Sequence, residues 1–570
     1  MRNVKNLFGM AVMATALVAC SSQAMTTSLL SNGHEGNQTG EAYASFRINL
    51  PTTSGTRVAG DPTFDGGDKN EYAVKDAALL LFQKNASGDF VFKESVDLGN
   101  MEPWTSSETN GITTTAKLTA KITKAEVGEN KGYYALIVLN NNSETAPKIT
   151  YPTVDQTYAD WSQNEANATA NYLKYDNGFF MANAPKYVAG APETLVEIKN
   201  IYASKQQAEN STATTVYVER GLAKVSLAEG SKKHVDIDAG NYKDDKVDIT
   251  GWTLDVTNTK TYPVHVTEGL WADTWKTTVT PAANNGATMD RFHDTKLTEF
   301  PRVYWGLDPN YSTDFATVEA CNGEFKMASK DDFKTGDEAK KAQYCLENTF
   351  DIDHMVQGQT TRVLFSAKYT PANFADGETF YKFGNSPKLW HAADVVAQIK
   401  AKAQEVLGEA DADKVTVTLA AEGNDMTKSG VRLVAAANIT YGTTALKTEQ
   451  VDQINAKLGF KKATSTDAEV GLSTYESGVS YYVARVKHFN ELTPWAPGND
   501  TYAGNNANWL GRYGVLRNNW YELSVSSVSG PGYPDVPKVN PTDPDDENKQ
   551  YINVEVKILD WAKRSQSIDL

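Results

Sequence analysis

Short runs in which apolar and polar residues alternate recur along most of the chain, with Gly, Asn, Asp and Pro between them. A period of two is typical of strands with one buried face, so the pattern predicts an all-β protein. The predicted strands of the first half lie at residues 44–50, 74–82, 91–98, 133–140, 215–220, 223–227 and 252–258. Residues 133–140 are almost continuously apolar, which indicates a central strand.

The second half continues with predicted strands at residues 361–369, 481–486 and 521–528. Two segments between them have apolar residues at helical spacing instead, which predicts two inserted helices. The two stripes are Val395, Ile399, Ala403, Val406 and Leu407, and then Val451, Ile454 and Leu458. We interpret both stripes as core contacts.

The first predicted strand carries Ala44, Phe46, Ile48 and Leu50 on one face. An exposed loop of small residues follows at 52–60 and contains the single arginine Arg57. A trypsin-like protease could cut such a loop after Arg57. The alternative is an ordinary linker arginine.

The C-terminal end combines a linker with a further strand. Residues 531–550 are rich in Pro and Asp, which predicts an extended segment without a core. Beyond it, Ile552, Val554, Val556 and Ile558 alternate with polar residues. Such a strand needs a partner sheet, which is either in its own domain or in another subunit.

The two ends can be combined in one assembly scheme. If cutting between Arg57 and Val58 releases the first strand, a groove opens in the first domain. The terminal strand of another copy could fill that groove, and head-to-tail repetition of the contact would build an open filament.

The first twenty residues have the form of an export signal. After a basic start, residues 7–18 are uncharged and mostly apolar, too short a run for a permanent membrane span. The four residues that end at Cys20 resemble a bacterial lipobox, in which the cysteine thiol takes a lipid. The alternative is a plain secretory signal with an incidental cysteine.

Composition and motifs narrow the chemistry. The net charge is −16, which makes nucleic acid an unsuitable partner because phosphate binding needs clustered Lys and Arg. Cys321 and Cys345 either pair as a disulfide or are two unrelated buried thiols. No nucleotide-binding loop, zinc-protease helix or nucleophile elbow occurs, and the seven histidines lack metal-ligand spacing. We therefore expect neither an enzyme nor a cofactor.

Several motifs occur together in one order along the chain. They are the lipobox at Cys20 and residues 56–60, 136–140, 216–220, 223–225, 361–371, 517–521 and 554–570. In this order they resemble the type V pilins, the fimbrillins of Bacteroidales, and most closely the major-subunit branch of short (Mfa-type) fimbriae. Residues 372–480 do not match that pattern, and we interpret the two helices there as a decoration.

The resemblance implies a specific architecture. It consists of two transthyretin-like β-sandwich domains at residues 58–258 and 259–530. A signal peptide at 1–19 and a lipidated propeptide at 20–57 precede them. A linker at 531–550 and a donor strand at 551–570 follow.

The resemblance also implies a function: the structural stalk subunit of an adhesive surface fimbrium. The precursor would reach the outer membrane as a lipoprotein and be cut between Arg57 and Val58 by an arginine-specific protease. The subunit would then polymerise with itself by strand exchange, alongside accessory tip and anchor subunits.

Two alternatives remain open. The chain could be a surface lipoprotein that binds glycans through Trp495, Tyr502 and Trp509, or a tip or accessory pilus subunit. A stalk subunit must have a strand to donate, and residues 552–558 have that pattern.

Overall fold

A computed structural model of the chain describes residues 40–51, 69–99, 105–106, 112–267, 292, 300–311, 317–349, 354–464, 468–488, 511, 513–541, 543, 545 and 552–559. The fold is mostly strand with few helices, which confirms the all-β prediction. Among these residues, no helix has both the length and the apolarity needed to cross a membrane.

The first half of the chain forms most of one large sheet. Its strands are β1 (Ala42–Pro51), β2 (Ala77–Lys84), β3 (Phe90–Gly99), β4 (Thr105–Ser106), β5 (Ile112–Ile122), β6 (Gly128–Glu129), β7 (Tyr133–Leu139), β8 (Met181–Asn183), β9 (Lys186–Val188), β10 (Ala191–Glu193), β11 (Val196–Glu197), β12 (Asn200–Ile201) and β13 (Thr214–Arg220). The helices are α1 (Lys69–Tyr72), α2 (Tyr158–Ser162) and α3 (Lys205–Asn210). The sheet order is β3-β2-β7-β8-β13-β1-β5-β4, with β11 added on β7.

Strand β7 is central, as its sequence predicted. It pairs with β2 on one side and with β8 and β11 on the other. Leu136, Ile137 and Val138 have no exposed surface, because both faces of the strand are covered. The chain leaves β7 at Asn140, whose φ of +58° an asparagine tolerates better than most residues. The Asn140 side chain then bonds the backbones of Ala73, Lys75 and Phe179.

The second half contains the remaining strands. They are β14 (Leu222–Leu227), β15 (His234–Asp236), β16 (Lys246–Asp255), β17 (Thr257–Asn258), β18 (Phe325–Lys326), β19 (Lys334–Thr335), β20 (Gln343–Leu346), β21 (Arg362–Thr370), β22 (Phe380–Phe383), β23 (Leu389–Trp390), β24 (Val415–Val417), β25 (Ala420–Ala421), β26 (Asn424–Asp425), β27 (Gly430–Arg432), β28 (Ile439–Tyr441), β29 (Thr444–Ala445), β30 (Leu472–Tyr475), β31 (Val479–Arg485), β32 (Trp520–Val528) and β33 (Ile552–Leu559). The helices are α4 (Val318–Glu324), α5 (Ala392–Leu407) and α6 (Thr448–Lys457).

Two sheets of this half bury their apolar side chains against each other. One has the order β20-β14-β32-β33, and the other has β15-β16-β21-β31 with β19 added on β16. Val225 and Leu523 of the first sheet share one apolar cluster with Trp252, Phe365 and Tyr482 of the second.

The chain passes from the first sheet to this second unit at Gly221, whereas the sequence analysis placed the boundary at residue 258. β14 and β16 pair with β32 and β21, which come later in the chain. The alternation pattern identified both strands but carries no information on their partners. Glycine is required at the crossing, because a Cβ at Gly221 would lie 2.3 Å from the Tyr172 hydroxyl oxygen.

The region that did not match the family pattern forms a small unit with its own core. Both predicted helices are confirmed as α5 and α6. Val395, Ile399 and Ala403 of α5 are buried with Val451 and Ile454 of α6. The stripes are therefore core contacts, as expected.

The Pro- and Asp-rich segment is docked in its described part, contrary to the prediction of an extended linker without a core. Tyr533 exchanges two backbone hydrogen bonds with Tyr481, at 2.8 and 2.9 Å. Arg362 donates from Nη2 to the carbonyl of Pro537 at 2.6 Å, and Val539 is buried. Composition missed this docking because its partners lie about 50 to 175 positions away in the chain.

Candidate assembly site

Strand β1 lies inside the first sheet, between β13 and β5. It runs parallel to β13 over four register pairs, from Phe46↔Thr214 to Asn49↔Tyr217. It runs antiparallel to β5 over ten register pairs, from Ala42↔Ile122 to Pro51↔Ile112. Removing β1 would therefore leave two strand edges facing each other across a gap.

The four apolar side chains predicted for one face of β1 are all buried. Ala44, Phe46 and Ile48 have no exposed surface, and Leu50 is 1% exposed. They belong to the apolar cluster that fills the first sheet. Each of the larger three contributes roughly 1.5–3 kcal/mol by burial, so the vacated groove would be strongly apolar.

The C-terminal strand β33 lies on its own domain in the structure. It pairs antiparallel with β32, with Leu523 opposite Val556 and Trp520 opposite Leu559. Val556 is 7% exposed and joins the cluster between the two sheets of the second half. Only the backbone is described at Ile552, Val554 and Ile558. The sequence left two partner sheets open for this strand. In the structure, β33 pairs with the sheet of its own chain.

β1 and β33 differ in how many neighbours they have. β1 has a paired strand on each side, whereas β33 ends its sheet and pairs with β32 alone among the described strands. An edge strand is held by one hydrogen-bond ladder and has its other edge unpaired. The two strands therefore have similar alternation but unequal backbone pairing.

Several predicted site residues lie outside the described part of the chain. They are the lipidation residue Cys20, the cleavage residues Arg57 and Val58, and the aromatic residues Trp495, Tyr502 and Trp509.

Cys321 and Cys345 do not form a disulfide in the structure. Both are free and buried. Cys321 packs with Val256, Phe325 and Val539, whereas Cys345 lies in the cluster between the two sheets of the second half. The sequence left open whether the two cysteines form a disulfide or are unrelated buried thiols, and the structure has two unrelated buried thiols. Burial raises the pKa of the Cys345 thiol to about 12.

A network of buried charges joins the two halves, and the sequence analysis did not identify it. Glu219 at the end of β13 accepts hydrogen bonds from His265 Nδ1 at 2.6 Å and Arg302 Nη2 at 2.7 Å. The same Arg302 nitrogen donates to the carbonyl of Arg517. The side chains of Glu219, His265 and Arg302 are each at most 2% exposed. Because water cannot reach them, each charge needs the others as partners.

The electrostatics of this network favour the ionised carboxylate. Burial alone would raise the pKa of Glu219, but the positive charges of His265 and Arg302 more than offset it. The pKa falls to about 2. Burial likewise lowers the pKa of the neighbouring Arg220 guanidinium, to about 10.

A second buried pair crosses the same junction. Lys224 of β14 contacts Glu71 of α1 at 2.7 Å, and its Nζ lies 3.6 Å from the centroid of the Trp520 ring. The Tyr344 hydroxyl also donates to Glu71. Lys224 thus connects helix α1 to β32, the strand that pairs with β33.

These contacts give a structural reason for motifs that the sequence analysis used only as a resemblance. Residues 216–220 and 223–225 are almost adjacent in the chain, and residues 517–521, which come about 300 positions later, meet them at this junction. Charged residues inside otherwise apolar strands, such as Lys224, were the signal that could have revealed it.

No metal centre is formed by the described residues, since no group of three or more His, Cys, Asp or Glu side chains converges there. Asp236, at the end of β15, contacts His234 Nε2 at 3.3 Å.

The C-terminal part of the chain is similar to a known family. Residues 473–567 match the family described as major fimbrial subunit protein type IV, fimbrillin, C-terminal. This range includes β31, β32 and β33. No curated protein matches the chain.

Two solved structures from Parabacteroides distasonis are similar to the chain. One is a candidate cell adhesion protein at 10% identity and a TM-score of 0.37, with 92% of this chain and 98% of that chain covered. The other is a fimbrial assembly protein at 12% identity and a TM-score of 0.25, with 61% and 85% covered. On the family match, the predicted resemblance is confirmed for fimbrillins in general, and the Mfa-type branch stays a prediction. The similarity to fimbrillins thus lies in residues 473–567, which match the C-terminal region of that family.

Proposed function

We propose that this chain is the stalk subunit of a cell-surface fimbrium that supports adhesion. It would be exported as a precursor lipidated at Cys20 and cut between Arg57 and Val58 by an arginine-specific protease. The cut would release β1, and the C-terminal strand of the next copy, with Ile552, Val554, Val556 and Ile558, would take its place. Coverage of β33 by the fimbrillin match supports this role.

The observation that carries the proposal is the position of β1, which has a neighbouring strand on each side and one completely buried apolar face. A gap with apolar walls exposed to water is unfavourable, so a released β1 needs a replacement. The replacement must present alternating apolar residues, and β33 has four of them at the same spacing as Ala44, Phe46, Ile48 and Leu50.

The pairing difference supplies a driving force for the exchange. In its own sheet β33 pairs with one strand, whereas the groove would offer it the edges of both β5 and β13. Each additional backbone hydrogen bond contributes about 0.5–1.5 kcal/mol net. Moving β33 into the groove of another copy would therefore gain a second ladder.

The sharpest test locks β33 in its own sheet. Leu523 and Val556 are register partners, so the double substitution Leu523→Cys and Val556→Cys would join β32 to β33 under oxidation. We expect oxidised protein to stay monomeric after protease treatment and reduced protein to form fibres. Fibres of oxidised protein with the crosslink intact would contradict the donor role. The single variant Leu523→Cys is the control, and Cys345→Ala in both variants removes the native thiol that lies in the same apolar cluster.

The processing step is tested separately. N-terminal sequencing of fibres sheared from cells should begin at Val58, and Arg57→Ala should leave uncut precursor with few fibres. Normal assembly of Arg57→Ala would rule out cleavage at this bond. Deletion of residues 551–570 should give a folded subunit that cannot polymerise. A tip or accessory subunit that donates no strand would still join a fibre after this deletion.

A further inference from the structure

A polar cleft of about 540 Å³ lies beside β1 on the first sheet. Its lining includes Ser45 of β1, Thr215 of β13 and Tyr134 of β7. Ser45 alternates with Ala44 and Phe46, whose side chains enter the core, so its hydroxyl lies on the opposite face of the sheet. The cleft is therefore separate from the apolar groove that β1 fills.

The side chains around the cleft are polar and balanced in charge. Lys186, Lys199, Glu193 and Glu197 all line it, together with Tyr202 and Asn200. Among the described residues none of these four charged side chains takes part in an ion pair, although Lys186 and Glu193 are register partners. Their donors and acceptors are therefore available to a ligand.

The surroundings disfavour two classes of ligand. The strands beneath the cleft are paired on both sides, β13 by β8 and β1, and β7 by β2 and β8. The strands at its rim, β10, β11 and β12, pair with one strand each but have only two or three residues, so an extended peptide could form at most a short ladder there. Two lysines opposed by two glutamates also give no excess positive charge for a polyanion.

What remains is a neutral ligand recognised by side chains alone. Tyr134 and Tyr202 contribute an aromatic ring and a hydroxyl each to the lining, and the charged side chains and Asn200 offer hydrogen bonds in both directions. These are the groups that a hydroxyl-rich ring requires. We propose that the cleft binds a neutral carbohydrate unit, and that strand exchange replaces part of its lining.

The second half of this proposal rests on the proposed function. If β1 leaves, Ser45 leaves with it, and the incoming strand supplies a polar residue in its place. The residues between its four apolar positions are Asn553, Glu555 and Lys557, all larger than serine. The cleft would then be completed by a second copy of the chain, so fibre and precursor should differ in affinity.

Binding is tested first on the uncut full chain, kept intact by Arg57→Ala. Calorimetric titration with galactose, mannose, N-acetylglucosamine and lactose should give saturable binding of at least one sugar. Glu197→Gln and Lys199→Met should each weaken it about tenfold, because each removes a charged hydrogen-bonding group. The control variants Glu229→Gln and Lys232→Met, exposed on the second half, should bind like the parent chain.

Three results would overturn the binding site. They are no binding by any of the four sugars, unchanged binding by Glu197→Gln and Lys199→Met, or displacement of the sugar by a sulfated oligosaccharide at equal concentration. Since both substituted side chains are exposed, misfolding is not expected, and circular dichroism would check it.

The lining exchange is tested on sheared fibres with the same sugar. We expect at least a threefold change in affinity relative to the uncut chain, and a further change when Asn553, Glu555 and Lys557 are replaced together by serine. If fibre and precursor bind the sugar with equal affinity, the exchange of lining residues is wrong, but the sugar-binding site itself is not contradicted. Failure to form fibres would overturn the proposed function, while sugar binding to the precursor would persist.

Discussion

The side-chain oxygen of Asn518 accepts two hydrogen bonds from Arg220, one from the backbone amide at 3.1 Å and one from Nη1 at 3.2 Å. The two residues are 298 positions apart, and both are almost fully buried. Asn518 has a φ of +58°, so the position combines a left-handed backbone with an acceptor for a buried cation. This contact ties the end of β13 to the turn before β32.

Replacing Asn518 should separate these two contributions. Asn518→Gly keeps the left-handed backbone and removes the acceptor, and should lower the free energy of unfolding by about 2–3 kcal/mol because Arg220 stays buried. Asn518→Ala should cost about 1 kcal/mol more through backbone strain. Chemical denaturation measures both. Asn130→Gly, exposed at a φ of 51°, is the matched control and should change little.

The buried carboxylate of Glu219 should make stability depend on pH. Its pKa is lowered in the folded state to about 2 from an ordinary value of 4.5, so its contribution is full above pH 4.5 and is lost as pH falls towards 2. That difference corresponds to roughly 3 kcal/mol. Glu219→Gln should be less stable than the parent at pH 6, and the gap should narrow at pH 2.

The control for this titration is Glu229→Gln, whose carboxylate is exposed. It should follow the parent chain at every pH. A constant gap between Glu219→Gln and the parent from pH 6 to pH 2 would mean that the loss comes from packing rather than from the charge.

Ile48 offers a test of whether β1 is removed during maturation. Ile48→Ala should lower the unfolding free energy of the precursor by about 2–5 kcal/mol, because the side chain is completely buried. If β1 leaves, fibres made from this variant should melt at the same temperature as parent fibres, since neither contains the residue. Arg47→Ser, exposed on the same strand, should have no effect in either state. Fibres that melt lower in Ile48→Ala would show that β1 is retained.

The state of the two cysteines can be counted directly. With Cys20 removed, we expect no reaction of the folded protein with a thiol reagent at pH 8, because Cys321 and Cys345 are buried and burial raises both pKa values. Unfolding without reductant should release two reactive thiols. Ser87→Cys, at an exposed position, should add one thiol that reacts at once. An unfolded chain without reactive thiols would instead mean a disulfide.

The sequence predicted individual elements better than their partners. The alternation of Ala44, Phe46, Ile48 and Leu50 identified a strand and its buried face, since side-chain direction is a local property of a strand. Helical spacing likewise identified α5, in which Ile399 is fully buried. Both results depend on neighbouring residues only.

Pairing over long distances was not predictable in the same way. Nothing near Val556 indicates that Leu523 lies opposite it, and nothing near Pro537 indicates that Arg362 captures its carbonyl. The buried partners of Glu219 come from residues 265 and 302, which periodicity cannot connect. A charged residue within a buried strand predicts a partner but not its position.

The direct continuation of β13 into β14 has a mechanical consequence. The segment from Thr214 to Leu227 is interrupted only at Gly221 and lies beside β1 at one end and beside β32 at the other. In a fibre assembled as proposed, the incoming strand of one neighbour would lie at the first end. The strand that this copy donates would leave the chain after β32, which pairs with the second end of the segment. A pull along the fibre would then run through one covalent backbone and load the ladders on either side in shear, so that many hydrogen bonds resist together.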